Sequence, residues 1–202
     1  MGSGAAHPPD ARGRPAEVLG ERFTDALAYA TRVHRGQTRR GAPFVAHLLR
    51  VAGLVIEGGG SEDEAIAALL HDAAEDQGGY ARLQDIRVRF GDEVAAIVDS
   101  CTDTYELPPP SWRARKERYL DHLPDASPGA LRVSLADKID NVRALLESGD
   151  GPATVDEADA CWYYTSIARL FARLQPGARA DELVAMAGEL QRRSRQSEAC
   201  AR

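Results

Sequence analysis

Apolar positions recur every third or fourth residue along most of the chain, the spacing that builds one face of a helix. Phe23, Leu27, Ala30 and Val33 set the first run, which Gly36 and Gly41 interrupt. A second run over 44–57 carries Leu48, Val51, Ala52 and Val55 and stops at Gly58-Gly59-Gly60. Ser61 and Glu64 form a capping box for a third helix over 62–76, which Gly78-Gly79 ends. Leu83, Ile86 and Phe90 mark a short helix closed by Gly91, and Asp92 caps the next, over 93–101. Leu107-Pro108-Pro109-Pro110 reads as a loop, and Ser111 starts a basic helix reaching Leu123. Ser127-Pro128 places a capping residue before a proline at the first helical position, and a long helix to 147 follows. Two more helices are predicted near 158–174 and 180–193. No stretch alternates with a period of two, and no segment repeats. The pattern predicts an all-α fold of roughly nine helices. One domain is expected over 17–195, between flexible tails at 1–16 and 196–202.

Composition narrows the function classes. A chain of 202 residues buries a core without disulfides or a structural metal. With 44% hydrophobic and 28% charged residues it is neither disordered nor membrane-embedded in composition. A net charge of −6 argues against a nucleic-acid-coating protein, so no nucleic-acid partner is expected. It leaves room for a small anionic ligand held by a local basic cluster. No apolar run approaches a membrane span, and no membrane partner is expected. Cys101, Cys161 and Cys200 are odd in number and widely spaced, unlike a disulfide scaffold or a zinc ribbon. Without a leader pattern, the expected home is the cytoplasm.

The third predicted helix carries the candidate chemistry. At about 100° per residue, Ile66, Leu69, Leu70 and Ala73 share one arc, and His71, Asp72, Glu75 and Asp76 share the opposite one. Three acids near a helix C-terminus oppose the dipole unless a cation compensates them. On the long helix over 127–148, Leu131, Leu135, Ile139, Val142 and Leu146 form a buried arc. Ala130, Ser134, Asp137, Asn141 and Ala144 form a stripe of small and polar residues. That stripe suits either a pocket wall or a close helix contact. His34 and His47 are each, alone, as expected of structural histidines, and His122 is expected at the surface.

Taken together, His47, the His71-Asp72 dipeptide and the distant Asp137 resemble the H…HD…D signature of HD-superfamily metal-dependent phosphohydrolases. Residues 36–47, GQTRRGAPFVAH, resemble the GQ-x-RK-x-G-x-PY-x-x-H segment of RelA/SpoT-type hydrolase domains. Residues 69–76, LLHDAAED, resemble that family's LLHD-x-x-ED, and residues 135–141, LADKIDN, its LADK-x-x-N. The three motifs occur in order, and the resemblance extends over 17–174. It is strongest to small, stand-alone alarmone hydrolases. Two positions depart: Leu48 follows His47 where proline is usual, and Arg40 stands where lysine is common.

The resemblance implies an HD-domain helical bundle that hydrolyses the 3′-pyrophosphate of (p)ppGpp-like nucleotides with one Mn²⁺ ion. It implies His47, His71, Asp72 and Asp137 as metal ligands. Glu75 would position or deprotonate the attacking water, with Asp76 in support. Arg39, Arg40 and Asn141 match nucleotide-contacting positions. Tyr163 is either a nucleotide contact or a core aromatic. Arg115 and Lys116, on the basic helix, either clamp phosphates or form an ordinary solvated face. His34 matches a histidine that is not a primary ligand. Three alternatives stay open: a (p)ppApp hydrolase, a nucleotide phosphatase acting for example on NADPH, and a non-enzymatic nucleotide-binding regulator. Oligomeric state is not legible.

Overall fold

A computed structural model describes residues 19–148 and 156–200. The tail expected over 1–16 lies outside the described residues. The elements are α1 (Glu21–Val33), β1 (Thr38–Arg39), β2 (Ala42–Pro43), α2 (Val45–Glu57), α3 (Glu62–Leu70), α4 (Ala73–Asp76), α5 (Gly79–Phe90) and α6 (Asp92–Cys101). They continue with α7 (Trp112–His122), a single 3₁₀ turn (Leu123–Asp125), α8 (Pro128–Ser148), α9 (Glu157–Leu174) and α10 (Ala178–Cys200). The all-α expectation holds. The last helix runs on to Cys200, through most of the segment expected to be a C-terminal tail. No helix of the described residues is long and apolar enough to cross a membrane.

Two apolar cores share one helix. The first gathers α1 to α6, including Val51, Ile66, Leu69, Ile86 and Val98, and receives Ala130, Val133 and Ala136 from α8. The second joins α7, α9 and α10, including Tyr119, Ile167, Phe171 and Leu183, and receives Leu131, Leu135, Ile139 and Val142 from α8. Both faces of α8 are thus occupied. The upper half of its small-residue stripe is a packing surface, with Ser134 hydrogen-bonded to the Tyr119 hydroxyl at 2.5 Å. Its lower half, Asp137 and Asn141, faces the site described below.

Two local expectations are corrected. The predicted third helix is not continuous. The capping box forms as expected, with Ser61 Oγ accepting from the Glu64 N–H and Glu64 returning to the Ser61 N–H. The helix then ends at Leu70, turns through His71-Asp72, and resumes as the four residues of α4. Nor is α3 two-sided: Ala65 through Leu70 are all fully buried. Three alanines among those six residues let α1, α2, α6 and α8 close around it. Periodicity cannot register a helix with no solvent face. The second correction lies between α1 and α2. Thr38–Arg39 and Ala42–Pro43 pair as a minimal antiparallel hairpin. Its two-residue loop, Arg40-Gly41, has φ of 52° and 78°, the left-handed pair that such tight turns require. Two-residue strands are too short to alternate visibly.

Candidate active site

Four side chains from three places in the chain converge where the two cores meet. His47 comes from α2, His71 and Asp72 from the break after α3, and Asp137 from α8. On an ideal helix, neighbouring residues point about 100° apart. The break at His71-Asp72 lets both side chains address one point. The His47 and His71 Nε2 atoms are 3.3 Å apart. Asp72 Oδ2 lies 3.5 Å from the first and 3.3 Å from the second. Asp137 Oδ1 lies 3.4 Å and 3.6 Å from the same two atoms. Both histidines and Asp137 are buried.

The partners of the other imidazole nitrogens decide what this cluster offers. His47 Nδ1 donates to Asp140 Oδ2 at 2.7 Å, and His71 Nδ1 donates to the Ala68 carbonyl at 2.9 Å. With each Nδ1 committed as a donor, each Nε2 would turn a lone pair inward once its own proton is displaced. Ligand bonds of about 2.1 Å put neighbouring donors roughly 3.0 Å apart in an octahedron and about 3.4 Å in a tetrahedron. The observed separations match, so both nitrogens and the Asp137 oxygen fit a small divalent cation, with Asp72 Oδ2 adjoining the two nitrogens. Among the described residues, His47, His71 and Asp137 also stand out as a group able to hold a metal.

Electrostatics agree. Burial lowers the basicity of His47, yet hydrogen bonds to Asp137, Asp140 and Asp72 outweigh it and push the group up to about 9. His71 is likewise raised, against burial, by Asp72 and Asp137. Burial would raise Asp72 and Asp137, but the histidines hold both below the usual carboxylate range, with Lys138 acting first on Asp137. In the protein alone, imidazolium protons balance the carboxylates. A divalent ion would replace those protons.

The predicted acidic pair stands beside this cluster. Glu75 accepts the backbone N–H of Asp103 at 3.0 Å. The Glu75 residue is exposed to solvent, and its carboxyl is held at the Asp103 backbone. Burial there and the Asp103 carboxylate push it up to about 7, against the Asp103 N–H and Lys116. Asp76 accepts from Gln37 Nε2 at 2.7 Å, and burial and then Asp72 raise it. Gln37 Oε1 accepts from Gln77 Nε2 at 2.7 Å and from His34 Nδ1 at 2.8 Å, which fixes the orientation of its amide. His34 is buried and stacks on Phe44, whose edge meets His47.

The predicted nucleotide contacts divide. Arg39 Nη2 donates to Asn141 Oδ1 at 2.5 Å, and Asn141 Nδ2 donates to Asp137 Oδ1 at 2.8 Å. The hairpin is thereby tied to the cation cluster. Arg40 instead donates to the Ala144 carbonyl. Lys116 pairs with Asp103, and Arg115 Nε lies 3.9 Å from the same carboxylate. Arg113 and Arg118 pair with Glu117 and Glu106. The basic helix therefore presents no free cationic patch, because loop and helix acids neutralise it. Tyr163 is buried in the second core, edge-on to Trp112, with its hydroxyl unpartnered among the described residues. Lys116 Nζ lies 5.2 Å from its ring.

Several residues here carry no separate signal in the sequence. Asp140, 1% exposed, holds His47 and is itself gripped by Arg50, whose Nε and Nη2 donate at 2.5 and 3.2 Å. Its place one turn beyond Asp137 was the available hint. Lys138 is buried and donates to Asp137 Oδ2 at 2.6 Å. Asp103 fixes Glu75 through its backbone, which no side-chain motif reveals.

Known proteins share this arrangement of chain. The family model described as HD domain matches residues 26–192. The human guanosine-3′,5′-bis(diphosphate) 3′-pyrophosphohydrolase is 36% identical over 126 residues, covering 60% of this chain and 68% of that protein. An Aquifex aeolicus protein of the same activity name is 33% identical over 126 residues, covering 62% of this chain and 18% of its own. A solved structure described as a metazoan ortholog of SpoT that hydrolyses ppGpp and plays a role in starvation responses superposes with a TM-score of 0.70 at 26% identity. It covers 89% of this chain and 98% of that one. A Listeria monocytogenes crystal structure gives a TM-score of 0.62 at 28% identity, covering 71% and 97%. The match spans both cores and every element of the cluster, and the chain belongs to the HD domain family.

Proposed function

We propose that this protein is a metal-dependent nucleotide 3′-pyrophosphohydrolase acting on (p)ppGpp-like alarmones and releasing pyrophosphate with GDP or GTP. The observation that carries the reading is the inward convergence of His47, His71, Asp72 and Asp137 beside Glu75. The activity named for the human and Aquifex relatives supports it. The mixed imidazole–carboxylate set favours Mn²⁺ over a closed zinc site. A divalent ion held there neutralises phosphoryl charge and acidifies water.

The chain's own residues supply the rest. Glu75, near 7, is part ionised at neutral pH and takes the proton of the attacking water. That water's oxygen bonds to phosphorus, the bond to the ribose 3′ oxygen breaks, and the oxygen leaves to gain a proton. Asp76, held by Gln37, supports the water's orientation. Arg39, Arg40 and Asn141 meet the sugar and base. Lys116 and Arg115 meet the phosphates by exchanging Asp103 for substrate oxygens, and Tyr163 backs Lys116. The domain of this activity spans 17–195 and works in the cytoplasm.

The test is product analysis with Mn²⁺ on guanosine and adenosine alarmones and on NADPH, beside an Asp72→Ala control. Pyrophosphate from an alarmone, lost in the control, is expected. Orthophosphate from NADPH alone, or tight nucleotide binding without product, refutes the reading.

A further inference from the structure

Away from the cation cluster, α9 and α10 flank an open groove of about 440 Å³. Thr165, Ser166 and Arg169 of α9 and Ser194 and Arg195 of α10 line it, with Trp162 at one wall. We propose that this groove binds a small phosphate-class oxyanion, at a site separate from the catalytic cleft.

Two features point to such a ligand, and a third offers a way to detect it. The first is charge. Arg169 and Arg195 form no ion pair or hydrogen bond with any described residue. Arg113, Arg118, Arg132, Arg143 and Arg179, by contrast, are each matched to a carboxylate. Among the described residues no acid lines the groove, so Arg169 and Arg195 border a shared space without a counter-charge there. Guanidinium planes match phosphate oxygens bidentately.

The second feature is unsatisfied hydroxyls. Mid-helix Ser and Thr normally return a hydrogen bond to the carbonyl one turn back. This chain does so elsewhere: Thr31 bonds the Leu27 carbonyl, Ser100 that of Ala96, and Thr102 that of Val98. Thr165 does not, and its Oγ1 is inaccessible and unpartnered among the described residues. Ser194 is only 7% exposed and likewise makes no side-chain hydrogen bond there. A buried hydroxyl without a partner is unfavourable; a rotation about the Thr165 side-chain bond would turn it to an oxyanion in the groove, which also accepts from Ser194.

The third feature is the wall. Arg113 Cζ stacks 3.2 Å from the Trp162 ring centroid, so one face of the indole is already covered by a cation. Its charge is matched by Glu117 and Asp159, so the stack adds no field at the groove but restrains the indole as a reporter. Phosphate-bearing ligands satisfy the first two features, and the third supplies the reporter.

The chain has two tryptophans, so a Trp112→Phe variant leaves Trp162 as the only indole. Its fluorescence is followed while inorganic phosphate, pyrophosphate or a nucleoside monophosphate is added at constant ionic strength, with chloride as control. A saturable change with at least one phosphate compound, weakened about tenfold or more by Arg169→Gln with Arg195→Gln, is expected. The preferred compound identifies the source of the anion. No saturable change up to about 10 mM, an equal response to chloride, or an unaltered response in the double variant overturns the proposal. Both arginines are exposed, so the double variant retains its fold, and circular dichroism verifies this.

Discussion

Replacing Asp140 by alanine tests how the cation cluster is held. The carboxylate is nearly inaccessible, accepts from His47 Nδ1 at 2.7 Å, and is clamped by Arg50 at 2.5 and 3.2 Å. Truncation leaves the His47 N–H buried without an acceptor and frees the imidazole to rotate or to change tautomer. Charge-assisted hydrogen bonds of this kind contribute about 1.5–3 kcal/mol. Loss of a carboxylate behind a ligating histidine typically weakens metal binding by about 10–100-fold. At 1.4 kcal/mol per decade, roughly 1.4–2.8 kcal/mol, the two routes agree. The assay is titration of metal-free protein with Mn²⁺, following the electron paramagnetic resonance signal of the free ion. Asp140→Asn keeps an acceptor oxygen and should fall between alanine and the parent. Arg50→Gln should cost less, about 0.5–1 kcal/mol, because the arginine is half exposed and solvent screens it. A folded Asp140→Ala protein that binds Mn²⁺ as tightly as the parent refutes the reasoning.

Other consequences are as direct. Glu75→Gln should lower kcat by about 10²–10⁴-fold while leaving Mn²⁺ affinity near that of the parent, read by steady-state kinetics beside the same titration. Because the Glu75 carboxyl is raised to about 7 and acts as a base, kcat should climb with pH through that value; a flat profile over pH 6–8 contradicts the assignment. The same shift has a stability sign. The fold favours protonated Glu75, so its ionisation costs nothing below the ordinary value of 4.5 and progressively more as pH rises towards about 7. Glu75→Gln should therefore flatten the melting temperature across that window. Mn²⁺ at about 100 times its dissociation constant should stabilise the parent by about 2.7 kcal/mol, and His71→Ala should abolish the gain in calorimetric scans. Ala67→Leu, in a helix enclosed on all sides, should cost about 1–3 kcal/mol by denaturant unfolding, and a neutral result would mean α3 has room that its burial denies.

The helices outside the site are largely legible in the sequence because their apolar stripes, caps and glycine stops all act locally. His47, His71, Asp72 and Asp137 were named only through the resemblance of three short motifs, and the fold brings their side chains together. What escaped was non-local. His71-Asp72 reads as helix from either side, and only the enclosing helices reveal that the chain must break there to aim both side chains. Asp140 looks like another polar residue on α8 until α2 brings His47 and Arg50 against it. The basic residues of α7 read as a patch, since three of the acids that quench them, Asp103, Glu106 and Asp159, lie in the preceding loop or on α9. Tyr163 belongs to the apolar interior, and periodicity gave no way to separate that from a ligand contact.

The sharing of α8 between two cores bears on how the protein assembles. Three of the four inward donors come from the α2–α4 side, and the fourth rides on α8, whose opposite face is packed against α9 and α10. An ion gripped by all four therefore stitches the N-terminal half to the helix on which the C-terminal half is built. Its binding energy is spent across that seam, not within either half. Amide protons on α3 and on α9, far apart in sequence and never in touch with the ion, should then slow their exchange together when Mn²⁺ is added.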